Sequence, residues 1–309
     1  MAIRQGGEWL GPVVKQGDGP GEIGLPIAVA WGRDGRLLVA DFERQRIVEW
    51  SVSGGTIGEV SSIARGVLDW VYSAGEAHWG WFGLASNGDV LLDRRERTGP
   101  DAPVLTRLEK YSASETGRSQ VLMQVDAVAL TPRRTLVAPG FPRALGAIGP
   151  DGVVAVTGAS GHYRVRLLKS DGSDSVIVCR ETPGVPLSRA EQGDTSFSGE
   201  GPARVEFDEM REWLRAARRP TEPLPIGRLF FGSTGRLWVE RDRPNPFKLG
   251  PPAGSAYDIF SELGEYVGTV QAPSGVTLYG ESDAWVIGYE VGSLDETSVV
   301  AYELLAPPE

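Results

Sequence analysis

Apolar positions along this chain come in short runs broken by glycine and proline, with one long helical stripe as the exception. The run RLLVAD (36–41) is entered through GRDG, and nearly the same phrase returns at 232–241 as GSTGRLWVER. Two further copies lie between them, ASNGDVLLDR around Gly88 and GPDGVVAVTG around Gly152. In each, a small residue, a polar pair and Gly precede a short apolar strand. Asp-Gly and Asn-Gly accept a positive φ, so each phrase predicts a two-residue hairpin reversal.

A second phrase follows each first one: RIVEWSVSGG (46–55), TRLEKYSASETG (106–117), YRVRLLKSDG (163–172) and SAYDIFSELG (255–264). Alternating residues lead into Trp50, Tyr111, Leu168 or Phe260, then polar residues, Gly and another strand. The large residues are expected to pack between units. A last copy, DAWVIGYEV then SVVAYELL, keeps the order without the turn glycine. The unit is strand, tight turn, strand, loop, strand, tight turn, strand. Four-stranded antiparallel units repeating at about 40–50 residues indicate an all-β propeller. Six blades are expected, five of them legible, with five blades as the alternative. The turn glycines stand 53, 64 and 83 residues apart, so the last interval holds extra chain. Part of it, VEFDEMREWLRAARR (205–219), places Phe207, Met210, Trp213 and Leu214 on one helical face, predicting a helix within an insertion spanning about 197–222. The whole of 1–309 reads as a single domain, and the orphan strand EWLGPVV is expected to pair with the final SVVAYELL and close the ring.

Composition adds constraints. With 41 Asp and Glu against 31 Lys and Arg the net charge is −10, and no basic run appears, which argues against nucleic acid as a partner. No apolar stretch approaches the ~20 residues of a membrane span, and the start of the chain, MAIRQGGEWLGPV, has no apolar signal core. A soluble chain is expected. The single Cys179 lies in the alternating run SVIVCRE and reads as a small apolar strand residue.

GDGPGEIGLPIAVAWGRDGRLLVADFERQRIVEWSVSGG (17–55) resembles the NHL-type repeat of bacterial six-bladed β-propellers, matching at Gly17, Gly19, Gly21, Pro26, Asp34, Gly35, Val39, Asp41, Arg46 and Ile47. The resemblance implies relatives that include protein- and RNA-binding domains, gluconolactonase-like hydrolases, strictosidine-synthase-like enzymes, amidating lyases and extracytoplasmic propellers. It implies an extracytoplasmic home and does not choose among those activities.

Propeller geometry narrows the search. The loop after each second strand and the loop before each first strand open on the face opposite the glycine turns; we call it the loop face. It collects Glu43, Arg44, Asp93, Arg94, Arg95, His162, Tyr163, Glu240, Arg241, Asp242, Tyr289 and Glu290, with His78, Trp79, Trp81, Phe141 and Arg143 from the loops before first strands. Asp41 is expected to cap its turn or pair with Arg46. Two readings follow. In the first, the propeller is a non-catalytic binding module for a small molecule, peptide, glycan or protein, using His78, Trp79, Trp81, Arg94, Arg95, Phe141, Arg143, His162, Tyr163 and Tyr289. In the second, it is a hydrolase, lactonase or lyase with a divalent cation such as calcium in the central channel, held by Glu43, Asp93, Glu240 or Asp242 with His78 or His162. Two histidines cannot build a three-histidine zinc site, and the scarcity of asparagine, Asn87 and Asn245 alone, argues against a full copy of the gluconolactonase-like calcium site.

Overall fold

The structure is a computed structural model that describes residues 2–5, 8–12, 22–24, 26–31, 36–41, 44, 46–53, 56–63, 82–96, 104–112, 119–127, 129–131, 134–137, 144–158, 162–169, 173–180, 226–241, 254–282, 285–291 and 297–304. The described elements are all strands. The segment expected to hold the inserted helix lies outside the described residues. β1 (Ala2–Gln5) and β2 (Glu8–Pro12) form a hairpin. Sheet I follows, with β3 (Pro26–Trp31), β4 (Arg36–Asp41), β5 (Arg46–Ser53) and β6 (Thr56–Ile63). Sheet II holds β7 (Phe82–Leu84), β8 (Val90–Glu96), β9 (Val104–Tyr111) and β10 (Ser119–Ala127). A small pair, β11 (Ala129–Thr131) and β12 (Arg134–Val137), leads to sheet III: β13 (Ala144–Ile148), β14 (Val154–Gly158), β15 (Tyr163–Leu168) and β16 (Asp174–Arg180). Sheet IV is β17 (Ile226–Phe231), β18 (Leu237–Arg241), β19 (Ala256–Phe260) and β20 (Tyr266–Gln271). Sheet V has three strands, β21 (Val276–Ser282), β22 (Trp285–Val291) and β23 (Thr297–Glu303).

Within sheets I to V, consecutive strands are hydrogen-bonded neighbours and antiparallel, as the repeated double hairpin requires. The first strands of successive sheets touch one another, β3 with β7, β7 with β13, β13 with β17 and β17 with β21. First strands are therefore innermost and the sheets stack radially, a propeller-like order.

The core follows from this stacking. On β18, Leu237 and Val239 join the apolar cluster shared with sheet III, whereas Trp238 joins the cluster shared with sheet V. On β14, Val154 and Val156 face sheet II while Ala155 faces sheet IV. Alternate residues thus serve opposite neighbours, which is why these strands read as unbroken apolar runs rather than alternating ones. Trp50, Tyr111, Leu168 and Phe260 are all buried, as the repeat predicted. Cys179 does lie on a strand but is exposed, because alternate positions on outermost β16 face away from the core.

The hairpins differ in one respect from the two-residue reversal expected. In the turn after β7, Ala85 N–H donates to Asp89 O at 2.8 Å and Gly88 N–H to Ala85 O at 2.9 Å. The same pair of bonds recurs at Gly149–Val153, Gly232–Arg236 and Ser261–Glu265. Each is a three-residue loop closed by a glycine bulge, so one residue takes the positive φ: 86° at Gly88, 77° at Gly152 and 80° at Gly235 and Gly264. A Cβ on Gly235 would have room, with its nearest neighbour 3.8 Å away; one on Gly264 would meet Val176 Cγ1 at 2.6 Å. Gly235→Ala should cost about 1 kcal/mol from the backbone alone. Gly264→Ala should cost clearly more, and urea denaturation of the two variants checks the order.

Ring closure through the chain ends is not formed among the described strands. β2 pairs with β1, and β23 pairs with β22. β1 and β2 are close in sequence, so their pairing closes a far shorter loop than pairing between the two ends of the chain would.

Candidate functional site

Acidic and basic residues enter the apolar stack at the loop-face ends of the strands as well as beside the glycine turns, and each sheet handles those of the loop face differently. In sheet I, Asp41 ends β4 and is buried. Its Oδ2 accepts from Gly24 N–H at 3.2 Å and stands 3.8 Å from Arg44 and 3.6 Å from Arg46. Both arginines also donate to Glu22 O, each at 2.7 Å. This is the staple expected for Asp41 and Arg46, and it includes Arg44 as well. It ties the chain before β3 to the β4–β5 connection.

In sheet II, Asp93 is half-buried on β8, beside Arg94 and Arg95 of the same strand. In sheet III, His162 is exposed just before β15, and Tyr163, the first residue of β15, is buried at 2% exposure. Burial, and after it the neighbouring Asp258 carboxylate, pushes the Tyr163 phenol far above its ordinary range, so the hydroxyl remains protonated. In sheet V, Tyr289 stacks with Tyr279, ring centroids 6.3 Å apart. His78, Trp79, Trp81, Phe141, Arg143, Glu43 and Asp242 lie outside the described residues.

Sheet IV gathers the most chemistry. Glu240, on β18, is 2% exposed. Ser255 Oγ donates to its Oε1 at 2.9 Å, and Arg228 Nε from innermost β17 stands 4.0 Å from its Oε2. That Oε2 is buried and accepts no hydrogen bond. The neighbouring Arg241 points the opposite way, toward sheet III, where its Nε is 3.2 Å from Asp258 Oδ1. Asp258 is fully buried and also receives Arg180 at 2.7 Å and the Thr269 hydroxyl at 2.6 Å.

Three of the expected residues, Tyr163, Glu240 and Arg241, thus belong to polar clusters on either side of β18. Asp258, Arg180, Arg228 and Ser255 were not among the expected residues. Asp258 carried a signal, being an acid in the middle of the apolar run AYDIF; a buried acid on a core strand is informative in a way that an exposed one is not. Arg180 carried none, since its partner is set by sheet stacking, whereas Arg228 faces Glu240 across the β17–β18 hairpin, a local pairing. Among the described residues, no three His, Cys, Asp or Glu side chains gather as a metal cluster.

No protein-family model matches the chain, and no curated protein matches it. Solved structures similar to it include virginiamycin B lyase from Staphylococcus aureus, at 9% identity, covering 91% of this chain and 85% of the other with a TM-score of 0.35. A member of the DUF4221 family from Bacteroides vulgatus shows 10% identity, coverage of 93% and 81%, and a TM-score of 0.41. A luciferin-regenerating enzyme shows 13% identity, coverage of 86% and 69%, and a TM-score of 0.34. At these values the likeness carries no inference about chemistry.

Proposed function

We propose that this chain is a propeller that handles a small molecule on its loop face, and that a hydrolase, lactonase or lyase is the better of the two readings. The observation that carries it is the buried Glu240 carboxylate with one oxygen lacking a hydrogen bond. Such an oxygen costs free energy until a donor or a cation completes it. A passive binding face would instead rest on exposed arginines and aromatics. Of the described candidates of that kind, Tyr163 lies inside the core and Tyr289 stacks on Tyr279, which leaves His162 exposed.

The donor type fits a hard divalent ion such as calcium, which takes carboxylate oxygens. Arg228, at 4.0 Å, competes for the same oxygen. Glu240 would hold such an ion, with Asp93, Glu43 and Asp242 as the further carboxylates the repeat assigns to this face. The ion would supply water activation. Ser255 holds Oε1 and so orients Oε2, and Arg228 limits the charge that Oε2 presents.

The same reading takes sheets I to V as part of a six-bladed NHL-type ring within a single domain. Val299 on β23 is 71% exposed, whereas the large residues on the third strands of the four-stranded sheets are buried, which supports a missing cover over sheet V.

Protein purified without chelator tests the proposal. Metal analysis is expected to find a stoichiometric divalent ion, and calcium to raise the thermal midpoint of the wild type but not of Glu240→Gln. The wild type is expected to turn over members of a lactone and ester panel, with the variant at least ~100-fold slower. Absence of an ion, an unchanged midpoint in EDTA and no turnover would return the chain to the binding-module reading.

A further inference from the structure

On the opposite side of β18 from Glu240, we propose that the arginine cluster between sheets III and IV binds a small oxyanion, the carboxylate or phosphate group of a small molecule, on the guanidiniums of Arg180 and Arg241. Both arginines are the last residues of their strands, β16 and β18, and Tyr163 opens β15, so all three lie at the loop face. The two guanidiniums converge on a single oxygen, Asp258 Oδ1, at 2.7 and 3.2 Å. That oxygen also takes the Thr269 hydroxyl at 2.6 Å, while the buried Oδ2 accepts no hydrogen bond.

Charge is therefore unbalanced at this point. Two fixed cations share one carboxylate, leaving one net positive charge in a chain whose net charge is −10. Guanidiniums drawn this close repel each other, and a second anion against their outer edges relieves that repulsion. A planar fork matches the geometry of carboxylate and phosphate alike. The cluster also holds the buried Tyr163 hydroxyl, which lies beside the Asp258 carboxylate. Its raised pKa keeps the proton on the oxygen, so it can only approach an anion as a donor.

The opening is on the Arg180 side. Arg180 is 36% exposed, and its guanidinium carbon lies 5.6 Å from the centroid of the Tyr266 ring, which is itself exposed. The Tyr266 hydroxyl contacts Thr269 at 2.6 Å, and Arg241 reaches the same Thr269 oxygen at 3.3 Å. Tyr266 thus stands as a wall that orients both arginines. The site does not depend on Glu240, because neighbouring residues of β18 point to opposite faces.

Calorimetric titration and thermal denaturation of the full chain with acetate and with inorganic phosphate, against chloride at matched ionic strength, test the proposal. Saturable binding beyond chloride is expected, and the arm that binds more tightly tells a carboxylate source from a phosphate source. Arg180→Lys keeps the charge but loses the fork and should weaken binding about ten-fold. Tyr163→Phe removes only the donor and should weaken it several-fold, with the far-ultraviolet circular dichroism unchanged. Glu240→Gln should bind the anion as the wild type does, which separates failure here from failure of the cation reading. A wild type indifferent to both anions, or undiminished affinity in both cluster variants, would overturn the proposal and leave the cluster as a staple between sheets.

Discussion

Replacing Trp238 with alanine should cost about 3–5 kcal/mol, the range for emptying an aromatic position in a core. Trp238 is fully buried on β18, where it stacks on Phe230 at 5.5 Å and meets Tyr257 edge-on at 6.4 Å. Its side chain joins the cluster that sheets IV and V share, with Val276, Leu278 and Val286 from sheet V. The cavity therefore opens at a junction between sheets, where two backbones would have to move together to close it. Urea denaturation should show a lower midpoint, and because the lost contacts span two sheets, the transition should also broaden as sheet V separates. Trp238→Phe, which keeps most of the ring volume, should recover the larger part of the loss.

The second large effect concerns the acid that meets the indole. Glu281 on β21 has a fully buried side chain. Its carboxylate accepts from the Trp238 Nε1 at 3.2 Å, from the Thr234 hydroxyl at 3.0 Å and from Arg236 at 3.3 Å. Its backbone oxygen accepts from Ser233 N–H at 2.9 Å. The turn of sheet IV is in this way clasped by sheet V, and Gly232 lacks a Cβ where one would strike the carboxylate. Glu281→Ala should cost about 2–3 kcal/mol, chiefly from stranding the buried indole N–H of Trp238. Arg236 adds little to this, since it is exposed enough for water to replace the lost partner. A double-mutant cycle with Trp238→Phe should give a coupling of about 1 kcal/mol; a value near zero would mean that the two side chains act independently.

The fold was legible because its signals are local. A glycine at positive φ, followed by an apolar run, marks the first hairpin of sheets II, III and IV, and the large residue at Trp50, Tyr111, Leu168 or Phe260 marks the third strand of sheets I to IV. These depend on a few neighbouring positions and survive divergence between copies. The exact turn was misjudged because an Asp-Gly or Asn-Gly pair suits both a two-residue loop and a three-residue loop with a bulge; the hydrogen bonds of Ala85, Gly149 and Gly232 decide it. The site was only partly legible. Glu240 and Tyr163 follow from their place at strand ends on the loop face. The meeting of Asp258 with Arg180 depends on which sheet lies opposite, a long-range matter, whereas Arg228 faces Glu240 within one hairpin. Asp258 and Arg180 are 78 positions apart in the chain, and no periodicity announces their meeting.

Because the described apolar clusters each join one of sheets II to V to its neighbour, these sheets resemble a stack of cards more than a single drop of oil. A connection lengthened on one card changes the local surface while cards two places away keep their seats. Novel specificities can therefore be grafted at one position of the stack without re-solving the interior, which is the freedom an architecture needs if it is to serve many chemistries.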